Sequence, residues 1–448
     1  MRLVRGAVEA RQTLLARAPL EARDLPPSVR EEIRRVFGAE LDAEAVVERV
    51  LRDVREEGDA AVLRYNEDID GIHGSLTGIS LEVSKGEIEA AVAEVEPSLL
   101  EALRQAAERI RAFHERQLAH SLRSFSEGGL GQVVRPLARV GLYVPGTAAV
   151  YPSTVLMTAI PARVAGVSEV IMATPAREDA GVSAVKLAAA AVAGVDRVFR
   201  AGGVQGIAAM AYGTETVPRV DKVCGPGNIF VTLAKQKLYG QVGIDGLFGP
   251  SETLVIADEA ADPSLVAADL LAGAEHDELA TAVLITTSER LAAAVTAEVK
   301  KQVKTLERAS IANGSLEARG GAVLVDSLAE AVALANEFAP EHLCLHVANA
   351  GALLEGVRNA GCVFVGGASA ESIGDYTAGP SHVMPTGGSA AYASPLGVHD
   401  FLKVTSVVDL DADTARRVGA PAAAIARAEG LTGHARAIER RLGGGRKR

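Results

Sequence analysis

Two textures alternate along the chain. Between residues 26 and 120, apolar positions recur at helical spacing among charged ones. Pro26-Pro27 opens one amphipathic segment and Asp42 caps another. The run KGEIEAAVAEVEPSLLEALRQAAERIRAFHERQL carries the longest such pattern, and Pro97 inside it marks a junction of two helices. His114 and His120 stand among charges there, which assigns them to a solvated face. From Val133 the pattern changes to short β-branched runs alternating with helical ones. Strands are expected at 140–144, 169–173, 197–200 and 222–224, separated by helices at 183–193, 204–212 and 229–238, as in βαβ units.

The segment 244–278, IDGLFGPSETLVIADEAADPSLVAADLLAGAEHDE, is the hinge of the whole pattern. Gly249-Pro250 forces a turn before a buried strand at 253–257. Asp262-Pro263 then starts a helix whose apolar face is expected to hold Leu265, Ala268, Leu271 and Ala272, and whose last turn delivers Glu275 and His276. Alternation resumes with strands at 282–286, 322–325, 343–346 and 363–365 and helices at 289–306, 328–337 and 350–359. Two α/β lobes therefore meet near 241–248. Beyond Pro395 the chain is expected to be helical again, with a polar stretch at 409–414 before a helix over 415–442. So small an appendage must dock on the main body or on a partner subunit.

Composition narrows the class. A chain of 448 residues suggests more than one domain, and 48% hydrophobic residues with 4% aromatic and no Trp imply a core of Ala, Val, Leu and Ile. That favours helices on parallel sheet. A net charge of −11 argues against a nucleic-acid surface, and the terminal GGGRKR reads as a solvated tail. Cys224, Cys344 and Cys362 show no CxxC spacing and are expected to be small buried side chains. No leader-like or membrane-spanning apolar run is present, so a cytoplasmic protein is expected.

Several segments carry candidate chemistry. RVGLYVPGTAAVYPS, RAGGVQG and VCGPGN each place small residues between a strand and a helix, where backbone amides can face a ligand or simply make a tight turn. No GxGxxG is present, so these turns are consistent with a nucleotide site without demonstrating one. Glu275-His276, Glu341-His342, Asp375, His382 and His434 supply imidazoles and carboxylates of the kinds used for zinc ligation and proton transfer. A lone His at a helix end is more often a cap, and sequence separation alone does not say which of these converge. From the residues themselves follows a two-lobed α/β enzyme with a polar cleft.

At these positions the chain resembles the histidinol dehydrogenase family: IDGLFGPSE with AEH, YVPG with YPS, GGVQGIAAMAYGTETVP, DKVCGPGN, APEHL, GDYTAGPSHVMPT and EGLTGH are similar to its motifs, in order, over nearly the whole chain. The resemblance implies an α/β fold of two incomplete Rossmann-like domains, one inserted in the other, with helical N- and C-terminal extensions. The expected division is 1–30 as N-terminal extension, 31–138 with 246–388 as the metal-side domain, 139–245 as the inserted NAD-side domain, and 389–448 as a dimerisation extension. It implies a zinc- and NAD-dependent homodimer that oxidises the small molecule L-histidinol to L-histidine through the aldehyde, with the C-terminal extension completing the partner's site.

Carried over residue by residue, the resemblance implies Glu341 and His342 as the catalytic acid-base pair and His276, Asp375 and His434 as zinc ligands. It implies Ser251, His276, His342, Asp375, His382, Glu429 and His434 as substrate contacts, and Tyr143, Gln205 and Asn228 as NAD contacts. Four positions depart from the family pattern. Gly273 stands where a Gln ligand is usual, Phe248 where Ala is usual, Thr147 where Gly is usual, and Ser381 where Asn is frequent. These leave two further readings open: a dehydrogenase of another small polar alcohol or diol, motivated by Phe248 and Gly273, and a non-catalytic metal- or nucleotide-binding relative.

Overall fold

The computed structural model describes residues 1–17, 25–71, 80–146, 150–176 and 181–442, so Thr147 and the basic run at 443–448 lie outside the described residues. The chain divides into two compact units, residues 1–119 with 137–401 and residues 120–136 with 402–448.

The larger unit holds two parallel sheets. One runs in the order Arg2–Arg5, Gly320–Leu324, Thr281–Thr286, Glu252–Ala257, His342–His346, Cys362–Val365. The other runs Arg197–Arg200, Glu169–Thr174, Arg139–Tyr143, Lys222–Cys224, Gly243–Ile244. Taken in chain order within each lobe, both sheets read third, second, first, fourth, fifth, and the first sheet adds the N-terminal strand outside its third. The two lobes thus share a plan that no sequence repeat reveals. Each has a point where strand order reverses, the place where open α/β sheets form a crevice.

The strands were legible because they are buried on both faces. Every position of Glu252–Ala257 and Thr281–Thr286 is buried, which gives continuous apolar runs instead of alternation. Val255, Leu284 and Cys344 face one core with Leu270 and Val295. Leu254, Ile256 and Leu343 face the other with Leu334 and Val4.

Four expectations require correction. The helix Pro263–Ala274 buries Val266, Ala267, Leu270, Leu271 and Ala274, whereas Leu265 and Ala268 are exposed. Its sequence is apolar nearly all round, so periodicity could not give its phase. His114 is fully buried, with Nδ1 2.8 Å from the Ile110 carbonyl. It lies on the stripe of Leu103, Ala107 and Ile110, and the charges beside it in sequence point elsewhere.

The expected division also changes. The strand Arg2–Arg5 pairs with Gly320–Leu324, so the N-terminus belongs to the first sheet. Val47, Val50, Val54 and Val62, expected with the metal-side domain, bury into the core of the second lobe beside Ile207 and Leu233.

Lastly, the region after Pro395 is not purely helical: Leu402–Val408 is a strand, pairing antiparallel with Leu130–Pro136, which also pairs with Phe125–Glu127. Six of its seven positions are exposed, and a strand with no buried face leaves no alternation to read. The smaller unit is completed by the helices Ala412–Ala428 and Thr432–Leu442, packed on each other and parted by Gly430 at φ 76°. No described helix is long and apolar enough to cross a membrane.

Candidate active site

A dense polar cluster lies at the amino ends of the strands Glu252–Ala257 and His342–His346, beside the reversal in the first sheet. The helix Leu328–Phe338 ends with Ala339 in the left-handed region at φ 49°, and Pro340 stops it. The next two residues are Glu341 and His342, delivered at the head of the strand. His342 pairs in register with Thr253, so the two strand heads hold their side chains together.

Around the His342 imidazole stand three carboxylates. Nδ1 is 3.7 Å from Glu341 Oε2 and 3.6 Å from Glu371 Oε1, and Nε2 is 3.4 Å from Asp375 Oδ1. The ring is 3% exposed and packs 5.8 Å from Phe364. Burial opposes its charge, but Glu371, Glu341 and Asp375 outweigh that and push its pKa to about 10. Burial raises Glu341 to about 7, with His342 and the Glu252 amide pulling the other way. Glu371 is raised to about 8, again chiefly by burial. Asp375 is half-buried, which opposes its charge, yet His342, His382 and His276 hold it below the usual carboxylate range.

Local sequence explains how these groups are held. Glu252 N–H donates to Glu341 Oε2 at 3.0 Å, and Thr253 Oγ1 donates to Glu371 Oε1 at 3.0 Å. Asp375 sits in the wide helical turn Gly374–Ala378. A Cβ on Gly374 would overlap Phe364 Cε1 and lie 2.9 Å from its Cζ, so only glycine lets this turn rest on the ring that supports His342. His382 Nδ1 is 2.8 Å from the Asp375 carbonyl and Nε2 is 3.2 Å from Thr154 Oγ1. A carbonyl only accepts, so Nδ1 carries the proton and Nε2 accepts the threonine hydroxyl. Ser381 Oγ donates to the Met157 carbonyl, fixing the segment that presents His382.

Both His342 nitrogens and Asp375 Oδ1 are buried without a hydrogen-bond partner among the described residues. His342, Glu371 and Asp375 each place a ligand atom within 4.8 Å of the others. Unmatched donor atoms of this kind mark a site that expects an occupant, and an imidazole-carboxylate set suits a divalent cation. Sequence reasoning missed Glu371, whose only signal was its place four residues before Asp375.

The other expected site residues are placed as follows. His276 lies just past the helix Pro263–Ala274, on the exposed side of the cluster, and the charges of Asp375, His342 and His382 bear on it. Gly273 offers no ligand, and a Cβ there would overlap Thr253 Oγ1 and lie 2.8 Å from Thr253 Cβ. Ser251 forms the turn into the strand, its carbonyl accepting from Thr281 N–H. The Phe248 ring packs on the Lys235 ammonium, 4.6 Å away, and against Gly246. Glu429 and His434 are exposed on the smaller unit.

The residues expected on the nucleotide side lie at the carboxyl ends of strands of the second sheet. Tyr143 ends its strand, and its hydroxyl accepts from Gly203 N–H at 3.1 Å. Gln205 is fully buried in the first turn of the helix Gly203–Tyr212. Asn228 caps the helix Ile229–Leu238, accepting from Phe230 and Val231 N–H. The turn at Gly225 is pinned by the buried pair of Lys235 and Asp245: Gly225 donates to Asp245 Oδ2 and accepts from Lys235 Nζ.

A family model described as histidinol dehydrogenase matches residues 34–442. The histidinol dehydrogenase of Deinococcus radiodurans is 52% identical over 421 residues, covering 93% of this chain and 95% of that protein. That of Moorella thermoacetica is 52% identical over 417 residues, covering 92% and 98%. Among solved structures, histidinol dehydrogenase from Elizabethkingia anophelis superposes with a TM-score of 0.88 at 33% identity, covering 99% of this chain and 98% of that one.

Proposed function

The chain belongs to the histidinol dehydrogenase family, and we propose that it oxidises L-histidinol to L-histidine through the aldehyde, reducing two NAD in succession, with Glu341 and His342 as its proton-handling pair. The observation that carries this reading is the buried Glu341-His342 head of one strand, set against Asp375 with its imidazole nitrogens unmatched. The reading with another alcohol loses part of its motivation, because the Phe248 ring packs on Lys235 and Gly246. A non-catalytic relative would have no use for a proton-transfer pair held this closely.

Asp375 and His276 are the chain's own residues toward zinc, with His434 contributed by a second copy. Bound zinc would supply a Lewis acid that orients the substrate's nitrogens, and NAD the hydride acceptor. His342 takes the proton from the substrate hydroxyl as hydride leaves the carbinol carbon. Of the three carboxylates that hold its proton, Asp375 is the one assigned to the metal, and a cation bound there would weaken the hold. Glu341, raised to about 7, is poised to take a proton from water as the aldehyde is hydrated before the second oxidation. His382, with both nitrogens engaged, holds Asp375 and the helix Pro152–Ala165 in place. Ser251 and the partner copy's Glu429 complete the substrate contacts, and Tyr143, Gln205 and Asn228 face the nucleotide.

The smaller unit supports a homodimer. Phe125, Leu130, Val408, Ile425 and Leu431 are exposed on it, apolar side chains that a second copy would cover. Cys224, Cys344 and Cys362 are free thiols, which fits a cytoplasmic enzyme. The test is purified protein with NAD and L-histidinol: two NADH form per histidinol consumed, and a chelator abolishes turnover until zinc is restored. Absence of NADH with histidinol, alongside turnover of another alcohol, overturns the assignment.

A further inference from the structure

The start of the helix Gly203–Tyr212 follows the Gly202-Gly203 turn at the carboxyl end of Arg197–Arg200, the third strand of its lobe, and a helix start of this kind can offer its amides to an anion. Here it is lined with acceptors. The Asp70 carboxylate, just beyond the helix Asp59–Asp68, lies over Gly202: a Cβ on Gly202 would overlap Asp70 Oδ2 and sit 3.0 Å from its Cγ and Oδ1. Gln205 Nε2 donates to Asp70 Oδ2 at 3.2 Å and approaches Asn66 Oδ1 at 3.3 Å. That orients the Gln205 carbonyl, Oε1, away from both, into the turn, 3.0 Å from where a Cβ on Gly203 would be. Gln205 is wholly buried and its Oε1 has no hydrogen-bond partner among the described residues. The Gly203 amide, which a phosphate would otherwise claim, already donates to Tyr143 Oη.

A phosphate brings only acceptors and negative charge, so beside Asp70 and Gln205 Oε1 it finds repulsion. A ribose brings two adjacent hydroxyls, each able to donate to one of these oxygens. We propose that Asp70, with Gln205, binds the hydroxyls of a ribose of NAD, and that this helix start excludes the dinucleotide's phosphates. The inference rests on the NAD-dependent reading above and assigns Asp70 a role in it. Burial supports it: desolvation, then Glu32, push the Asp70 carboxyl to about 7, so the group gains from any donor that reaches it.

The test uses the full-length protein and measures nucleotide binding by calorimetry, with NADH fluorescence as a second probe. Asp70→Asn keeps the shape and removes a buried charge, so thermal unfolding is expected at or above the wild-type temperature. NAD affinity is expected to fall about tenfold, since a hydrogen bond to a charged acceptor is lost. If affinity for the 2′-phosphorylated dinucleotide rises toward that for NAD, the hydroxyls are those of the adenosine ribose. If both affinities fall in proportion, they are those of the nicotinamide ribose. Unchanged NAD affinity in Asp70→Asn and Asp70→Ala, with only the unfolding temperature moved, assigns Asp70 to the scaffold and overturns the proposal. Failure of the wild-type protein to bind NAD at all overturns the dehydrogenase reading instead.

Discussion

Glu341 and His342 adjoin in sequence but meet different surroundings, and their roles separate on that basis. Glu341 answers to a backbone amide and to burial, His342 to three carboxylates. Replacing Glu341 with Gln keeps the amide contact through its side-chain oxygen and removes a base. Aldehyde oxidation is expected to fall by about 10²–10⁴, the usual worth of a positioned base, and alcohol oxidation by much less. Single-turnover assays started from each substrate check this, and equal losses would rule out the division of labour.

Lys186 makes a second residue-scale case. It is 1% exposed, donates to Thr174 Oγ1 at 2.9 Å, and burial lowers its pKa from 10.5 to about 8. Below about 8 the amine is charged in folded and unfolded chains alike, and folding carries the full cost of burying it. Between about 8 and 10.5 the unfolded chain binds the proton more tightly, so stability rises with pH across that window. Lys186→Met is therefore expected to be more stable than wild type at pH 7 by about 1–3 kcal/mol, with the gap narrowing by pH 10 in urea titrations. Thr174 stays satisfied in the variant, because its hydroxyl donates to the Val144 carbonyl.

At the scale of elements, the helix Pro263–Ala274 crosses the strand Glu252–Ala257 with Gly273 against Thr253. Restoring the family's usual residue by Gly273→Gln forces the two apart and is expected to cost about 1–3 kcal/mol, as overpacking does. Adding Thr253→Ala makes room and returns part of that loss, a coupling that thermal melts of both singles and the double resolve. Zinc affinity by chelator competition is expected to be higher in the double variant than in Thr253→Ala alone. The Gly225 turn depends on another pair of elements, the helix Ile229–Leu238 and the segment carrying Asp245. Lys235→Met leaves Asp245 buried without its cation, and a loss of about 3–5 kcal/mol is expected in equilibrium unfolding. Lys235→Met with Asp245→Leu recovers much of it.

For the whole molecule, the question is which copy supplies His434. If the smaller unit acts on its partner, His434→Asn and Glu341→Gln homodimers each form little histidine from the aldehyde, but mixed and re-equilibrated they form hybrids with one intact site. Random exchange then gives about one quarter of wild-type activity, since half the dimers are hybrid and half their sites complete. If His434 acts within its own chain, mixing restores nothing.

How much of this was legible depended on burial. Strands such as Thr281–Thr286 sit between two helical layers, so their apolar runs announced them almost residue for residue. The exposed strand Leu402–Val408 had no such signature. Caps at Asp42 and Asp262 were readable because they act over two or three residues. The phase of the helix Pro263–Ala274 was not, because that depends on what lies on either side.

The amino acids alone determined an α/β chain of two parallel lobes and the chemical inventory of the site, since local turn chemistry and buried apolar runs are properties of short segments. Tertiary structure decided that Glu371 joins Glu341, His342 and Asp375, that His114 is buried, and that Asp70 closes over Gly202. Those outcomes rest on distances between residues far apart in the chain, and only the packing of strand heads, helix starts and turns fixes such distances.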